Sequence, residues 1–223
     1  MQDKNESLNT SEKINGFIQK NRKGIFIFLG AIIFLLIGCI VFILLTSRLN
    51  NMSIAMVEEL NQRYQEIVNS DLDHSGRELD ELLSDLYSFN KGNNYAGSKT
   101  WSIIAMIYSD REEWGSAEDA WRNAARTGSK THLSPTALFN ASVAAEEQGK
   151  IDQAIELLER SLSGNIEFPA APRAQFAIGR LYEKQQDIPA AIEAYRAVLT
   201  KWPSITVWGN LAQSRIITLE VMR

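Results

Sequence analysis

Three groups of residues in this 223-residue chain could do chemistry. The first is Leu36-Ile37-Gly38-Cys39, which has the form of a bacterial lipobox, a motif whose Cys is lipidated after cleavage. Ile40-Val41-Phe42-Ile43-Leu44-Leu45 follows, where a lipoprotein carries a polar tether, so a Cys lying in an apolar helix is the better account. The second is Asp71-Leu72-Asp73-His74-Ser75-Gly76. Oxygens at positions one, three and five before a Gly open a calcium-binding loop. The twelfth position is Leu82 where a bidentate Glu is needed, and the eighth, usually apolar, is Glu78. Ser75 and Glu78 fit a helix capping box instead, starting a helix over Gly76–Tyr87. The third group is scattered. His74 and His132 have no ligand at i+3 or i+4, and no glycine-rich phosphate loop exists. The pairs Glu112-Glu113 and Glu146-Glu147 fall on helical surfaces, where solvated faces explain them. We therefore expect no enzyme activity, no cofactor and no metal. One Cys forms no intrachain disulfide.

The elements around these groups are more informative. Gly24–Thr46 is 23 residues without a charge. As a helix it rises roughly 34 Å, enough to cross a hydrocarbon core of about 30 Å. A cleaved signal peptide has a shorter apolar run and an Ala-x-Ala site, which this stretch lacks. Gly24, Gly30 and Gly38 are not in small-xxx-small spacing, so no helix-dimer motif is present. Lys13, Lys20, Arg22 and Lys23 precede the stretch and only Arg48 closely follows it. Positive flanks stay inside, which places residues 1–23 in the cytoplasm and the rest outside. The tail is net +2 and the part after residue 46 is net −6. An acidic outer part argues against nucleic acid as a partner.

Residues 47–97 read as connecting helices and an N-terminal cap. Met52, Met56, Leu60, Tyr64 and Ile67 recur on one helical face, which suits packing on the following domain. Asn90–Gly97 reads as a turn. Beyond it the chain repeats itself at an offset of 37. Ala117, Ala154 and Ala191 align, as do Trp114, Ile151 and Ile188. Ala105, Ser142 and Gly179 align as small residues, and Trp121, Leu158 and Tyr195 as large ones. Ala137–Leu162 and Ala174–Leu199 share nine of 26 residues without a gap. Each unit reads as a helix pair whose first helix begins near Ser98, Ser134 or Pro172, with Ser134 as cap and Pro135 at the first helical position. Small residues let the two helices approach, and stacking buries what one pair cannot. Residues 206–223 read as a terminal helix covering the end of the stack. The expected fold is all-α: one N-terminal transmembrane helix, then about three helical hairpins over 98–205 with caps at both ends.

These residues resemble the tetratricopeptide repeat (TPR) family. The first unit supplies Trp101, Ile104, Ala105, Tyr108, Ala117, Trp121 and Ala124 at the family's positions. The third supplies Ile178, Gly179, Tyr182, Ala191, Tyr195, Val198 and Pro203, and the second is a weaker match. The resemblance implies a concave face lined by the first helices. Lys99, Ser102, Met106 and Ser109 would come from the first, and Thr136, Phe139, Val143 and Glu146 from the second. The third would add Arg173, Phe176, Arg180 and Glu183. The candidate partner groove is Phe139, Asn140, Val143, Arg173, Phe176 and Arg180. Phe139 and Phe176 either face this groove or are buried between repeats. Asn140 and Arg173 match two places of the family's carboxylate clamp. Ser102, Met106 and Ala177 break the others, so a mixed apolar and basic groove for an acidic or amphipathic segment is expected.

The layout resembles the YfgM type of ancillary subunit of the bacterial Sec translocon. That resemblance implies a periplasm-facing, single-pass inner-membrane scaffold whose partners are translocon or folding factors. The alternative is a structural subunit of an envelope machine, such as the flagellar-motor collar of spirochaetes, in which a homo-oligomer is expected.

Overall fold

A computed structural model of the chain describes residues 2–70, 75–89, 92, 95–164, 166–204 and 206–221. The described residues form helices without strands: α1 (Gln2–Asn69), α2 (Ser75–Ser88), α3 (Tyr95–Asp110), α4 (Trp114–Thr127), α5 (Leu133–Glu147), α6 (Ile151–Leu162), α7 (Ala171–Lys184), α8 (Ile188–Lys201) and α9 (Thr206–Val221). The calcium-like residues Asp71–His74 lie outside the described residues, as does the Ser75 side chain. The chain divides into two units, Met1–Met52 and Ser53–Arg223.

In the first unit, the large apolar side chains from Phe26 to Leu45 stand exposed along α1, with Cys39 exposed among them. It contains the one helix among the described residues long and apolar enough to cross a membrane.

In the second unit, α3–α4, α5–α6 and α7–α8 are antiparallel hairpins. Trp114, Ile151 and Ile188, aligned at 37 residues, are the first residues of the three second helices. The turns repeat with the same register. Glu112, Gly149 and Gln186 all have positive φ, at 57°, 74° and 64°. After each, an N–H reaches back five residues: Glu113 to Tyr108, Lys150 to Ala145 and Asp187 to Tyr182, at 2.9, 3.0 and 3.0 Å. A left-handed residue followed by that long bond is a Schellman cap, which closes the first helix and reverses the chain.

Gly179 shows why the small positions matter. A Cβ there would lie 2.6 Å from the ring of Tyr195, which is fully buried. The aligned Ala105 and Ser142 are also buried. Between hairpins, polar side chains reach back from the end of each first helix. Arg111 donates to Asp80 of α2 at 2.7 Å. Gln148 donates to Glu118 at 3.0 Å, and Gln185 donates to Asp152. These three donors are again 37 residues apart. Glu118 is buried and also accepts from Arg122, Lys150 and Gln153. Burial alone would raise its pKa, but the bonds from Arg122, Lys150 and Gln148 outweigh it and hold the carboxyl below its ordinary value.

Three local expectations change. The buried face of α1 within the second unit is Val57, Tyr64 and Ile67, while Met56 is 53% exposed. Tyr64 is fixed by its hydroxyl, which donates to Asp110 at 2.6 Å. The helix α3 starts at Tyr95, absorbing Gly97, because Tyr95 donates to Glu58 and Ser98 to the Ala124 carbonyl. Ser134 does not cap α5; its hydroxyl donates to the Ala125 carbonyl of α4, and α5 starts at Leu133.

Candidate partner-binding groove

The first helices α5 and α7, with α9 beside them, enclose a pocket of about 250 Å³. Phe139 and Val143 reach it from α5, Phe176, Arg173 and Arg180 from α7, and Trp208 from α9. Asn140, one residue from Phe139, is half-buried and does not line it. The two phenylalanines differ. Phe139 is buried, its ring 6.3 Å from that of Phe168. Phe176 is half-buried between Tyr195 at 5.0 Å and Trp208 at 5.5 Å. Val143 is 40% exposed at the rim. Both alternatives for the phenylalanines therefore hold in part: packing fixes the rings, and one side of each is left to the pocket.

The two arginines also differ. Arg180 binds both oxygens of Glu146, which Lys184 joins at 2.8 Å. The bond from Arg180 is the main cause that lowers the Glu146 pKa to about 2, against the opposing effect of burial. Arg173 instead lies over the Phe139 ring, 5.1 Å from its centroid, and makes no ion pair among the described residues. That is cation–π geometry, with the guanidinium edge left for an acceptor. The pocket is thus apolar, with one uncommitted cation at its edge.

The first repeat contributes little to this pocket. Ser102 and Ser109 donate their hydroxyls to their own helix, at Ser98 and Ala105. Sequence reasoning missed Trp208, whose position lies beyond the third hairpin, where the repeat alignment stops. An aromatic residue in the first turn of the terminal helix was the available signal.

A second ion pair joins α7 to α9. Glu183, 37 residues after Glu146, accepts from Arg215 of α9 and from Tyr195. Burial opposes its ionisation, yet the Arg215 and Tyr195 bonds hold its pKa below the ordinary value. The helix α9 therefore meets α7 as α7 meets α5.

Stacked antiparallel hairpins with a small residue facing a large one define a helical-repeat interaction scaffold, a non-enzymatic type of fold. The profile of the tetratricopeptide repeat family matches residues 104–165 and 143–204. Residues 104–204 are tetratricopeptide repeats, and repeats of this kind bind protein partners. The chain is 27% identical over 226 residues to a TPR repeat-containing protein of Treponema pallidum (strain Nichols), covering 94% of each. Two crystal structures of a kinesin-light-chain-type protein of Podosopora anserina with nearly identical TPR-like repeats share the fold. Both are 14% identical, with TM-scores of 0.57 and 0.56, covering 76% of this chain and 86% and 87% of theirs.

Proposed function

We propose that this protein is a membrane-tethered scaffold that holds a protein partner in the groove between Phe139 and Phe176. Residues 24–46 would anchor it in the bacterial inner membrane with residues 1–23 in the cytoplasm. Residues 47–97 would connect the anchor to the repeats of 98–205, closed by 206–223, all in the periplasm. The positive charges before the apolar stretch support that orientation. Tethering raises the local concentration of the repeats toward other membrane proteins. The observation that carries the reading is the pocket itself: apolar walls sized for one large side chain, with Arg173 at the edge. Such a site suits an acidic or amphipathic segment that inserts an apolar anchor.

The partner assigned first is an exported protein or folding factor at the Sec translocon, in keeping with the layout. The relative from Treponema, a spirochaete, favours the second reading, a subunit of an envelope machine such as a flagellar-motor collar. Photocrosslinking from position 176 in intact membranes separates the two by what is captured. Single changes Phe139→Ala, Arg173→Ala, Phe176→Ala and Arg180→Ala test the groove. Loss of the captured partner with helicity preserved is expected for Phe176 and Arg173. Undiminished capture by all four folded variants would defeat the groove, and a cytoplasmic reporter fused after Arg223 would defeat the orientation.

A further inference from the structure

The outer face of α9 is not polar. Here Val207, Leu211, Ile217 and Val221 are 65%, 45%, 55% and 83% exposed. At about 100° per residue they occupy an arc roughly 120° wide, opposite the buried Ala212, Ile216 and Leu219. The ion pairs explain the arrangement. Arg215 binds Glu183 as Arg180 binds Glu146, which places α9 as the first helix of a hairpin. In that register Ser214 stands where Gly179 stands in α7, on the face that a second helix covers.

The charge and order of this stripe point to its occupant. Both charged residues of α9 are paired away from the stripe, Arg215 with Glu183 and Glu220 with Arg196. The stripe is neutral, and its apolar residues are symmetric about Ser214: Leu211 and Ile217 lie three positions either side, Val207 and Val221 seven. An antiparallel copy of the same helix, with its dyad at Ser214, sets Leu211 on Ile217 and Val207 on Val221. The small Ser214 at the crossing lets the two helices approach, as Gly179 does inside the third hairpin. A two-fold interface requires this self-complementarity, whereas a hetero-partner does not. We propose that the α9 stripe is a homodimer interface, with two copies paired antiparallel about Ser214.

The test uses the full chain in mild detergent with Cys39→Ser, so that a new Cys reports alone. Ser214→Cys is expected to oxidise to a covalent dimer, because the dyad brings the two positions together. Adding Leu211→Glu is expected to slow that crosslink at least tenfold while circular dichroism stays unchanged. Without the new Cys, Leu211→Glu with Ile217→Glu is expected to give a monomer by light scattering at concentrations where the parent is a dimer. A folded parent that is monomeric would overturn the proposal. So would a dimer that survives both glutamates, or one that never crosslinks through position 214. None of these outcomes depends on the partner groove.

Discussion

The second and third hairpins, α5–α6 and α7–α8, share their turns, their register and nine of 26 residues, yet they solve the same contact differently. In the second, Ser142 and Leu158 occupy the facing positions; in the third, Gly179 and Tyr195 do. Total side-chain volume is kept roughly constant while its division between the helices shifts. The larger ring brings a hydroxyl, which donates to Glu183 at 2.5 Å and ties α8 to α7. Packing in this stack is thus set pair by pair, and a residue borrowed from the neighbouring repeat is tolerated only with its partner.

The largest effect follows from that rule. Gly179→Ser copies the second hairpin into the third without its Leu. Tyr195 is fully buried and has no room to move, so overpacking outweighs the gain in helix propensity, and we expect a loss of about 2–3 kcal/mol. In a Tyr195→Leu background the same change should cost less than about 1 kcal/mol. Thermal melts of the four chains in detergent measure the cycle. Equal costs in both backgrounds would mean the hairpins are not governed by this pair.

How much of this was visible beforehand depended on locality. The offset of 37 was legible because each hairpin repeats a contact made within some 20 residues, and Trp114, Ile151 and Ile188 start their helices as aligned. Fold class followed from it. The groove was legible only as a list of positions. Phe139, Val143, Arg173, Phe176 and Arg180 do line one pocket, but Asn140 does not, and the sequence did not reveal that Glu146 occupies Arg180. That pair joins residues 34 apart across two repeats, and its geometry depends on the stacking angle. Trp208 was hidden for the same reason: its place is set by α9 packing on α7, not by the repeat. The face of α1 was shifted because Met56 and Val57 are both apolar, and only the neighbouring helices decide between them.

The acidic ends of α5 and α7 supply a second contrast, smaller in size. Glu146 has a pKa of about 2 against an ordinary 4.5, so its contribution is fully present above pH 4.5 and fades as pH falls toward 2. Arg180 and Lys184 are half exposed, which discounts the contribution to about 1–2 kcal/mol. Glu146→Gln should therefore destabilise the chain at neutral pH and flatten its stability between pH 4.5 and 2. Glu183→Gln should flatten the acid limb too, and Tyr195→Phe should lessen that flattening, since the Tyr195 hydroxyl is a donor in the third hairpin alone. Acid titrations followed by helix content would check both. Equal acid limbs in parent and Glu146→Gln would remove the ion pair from the account of the groove.

The smallest contrast sits in the turns. Gly149 and Gln186 hold the same left-handed conformation, at φ of 74° and 64°, but only the first is glycine. A side chain there is strained by about 1–2 kcal/mol, while glycine gives back part of that through its larger unfolded-state entropy. Gln186→Gly should thus stabilise the third hairpin by about 0.5 kcal/mol, and Gly149→Ala should destabilise the second by about 1 kcal/mol. Gln186 is exposed, so the gain comes from the backbone alone. Hydrogen exchange at Lys150 and Asp187, whose amides close the two caps, reads each hairpin separately. A gain at Asp187 with no change at Lys150 is the expected pattern for Gln186→Gly. A loss at Asp187 would mean that the Gln186 side chain stabilises its turn, and the two hairpins would then differ in their turns as well as in their packing.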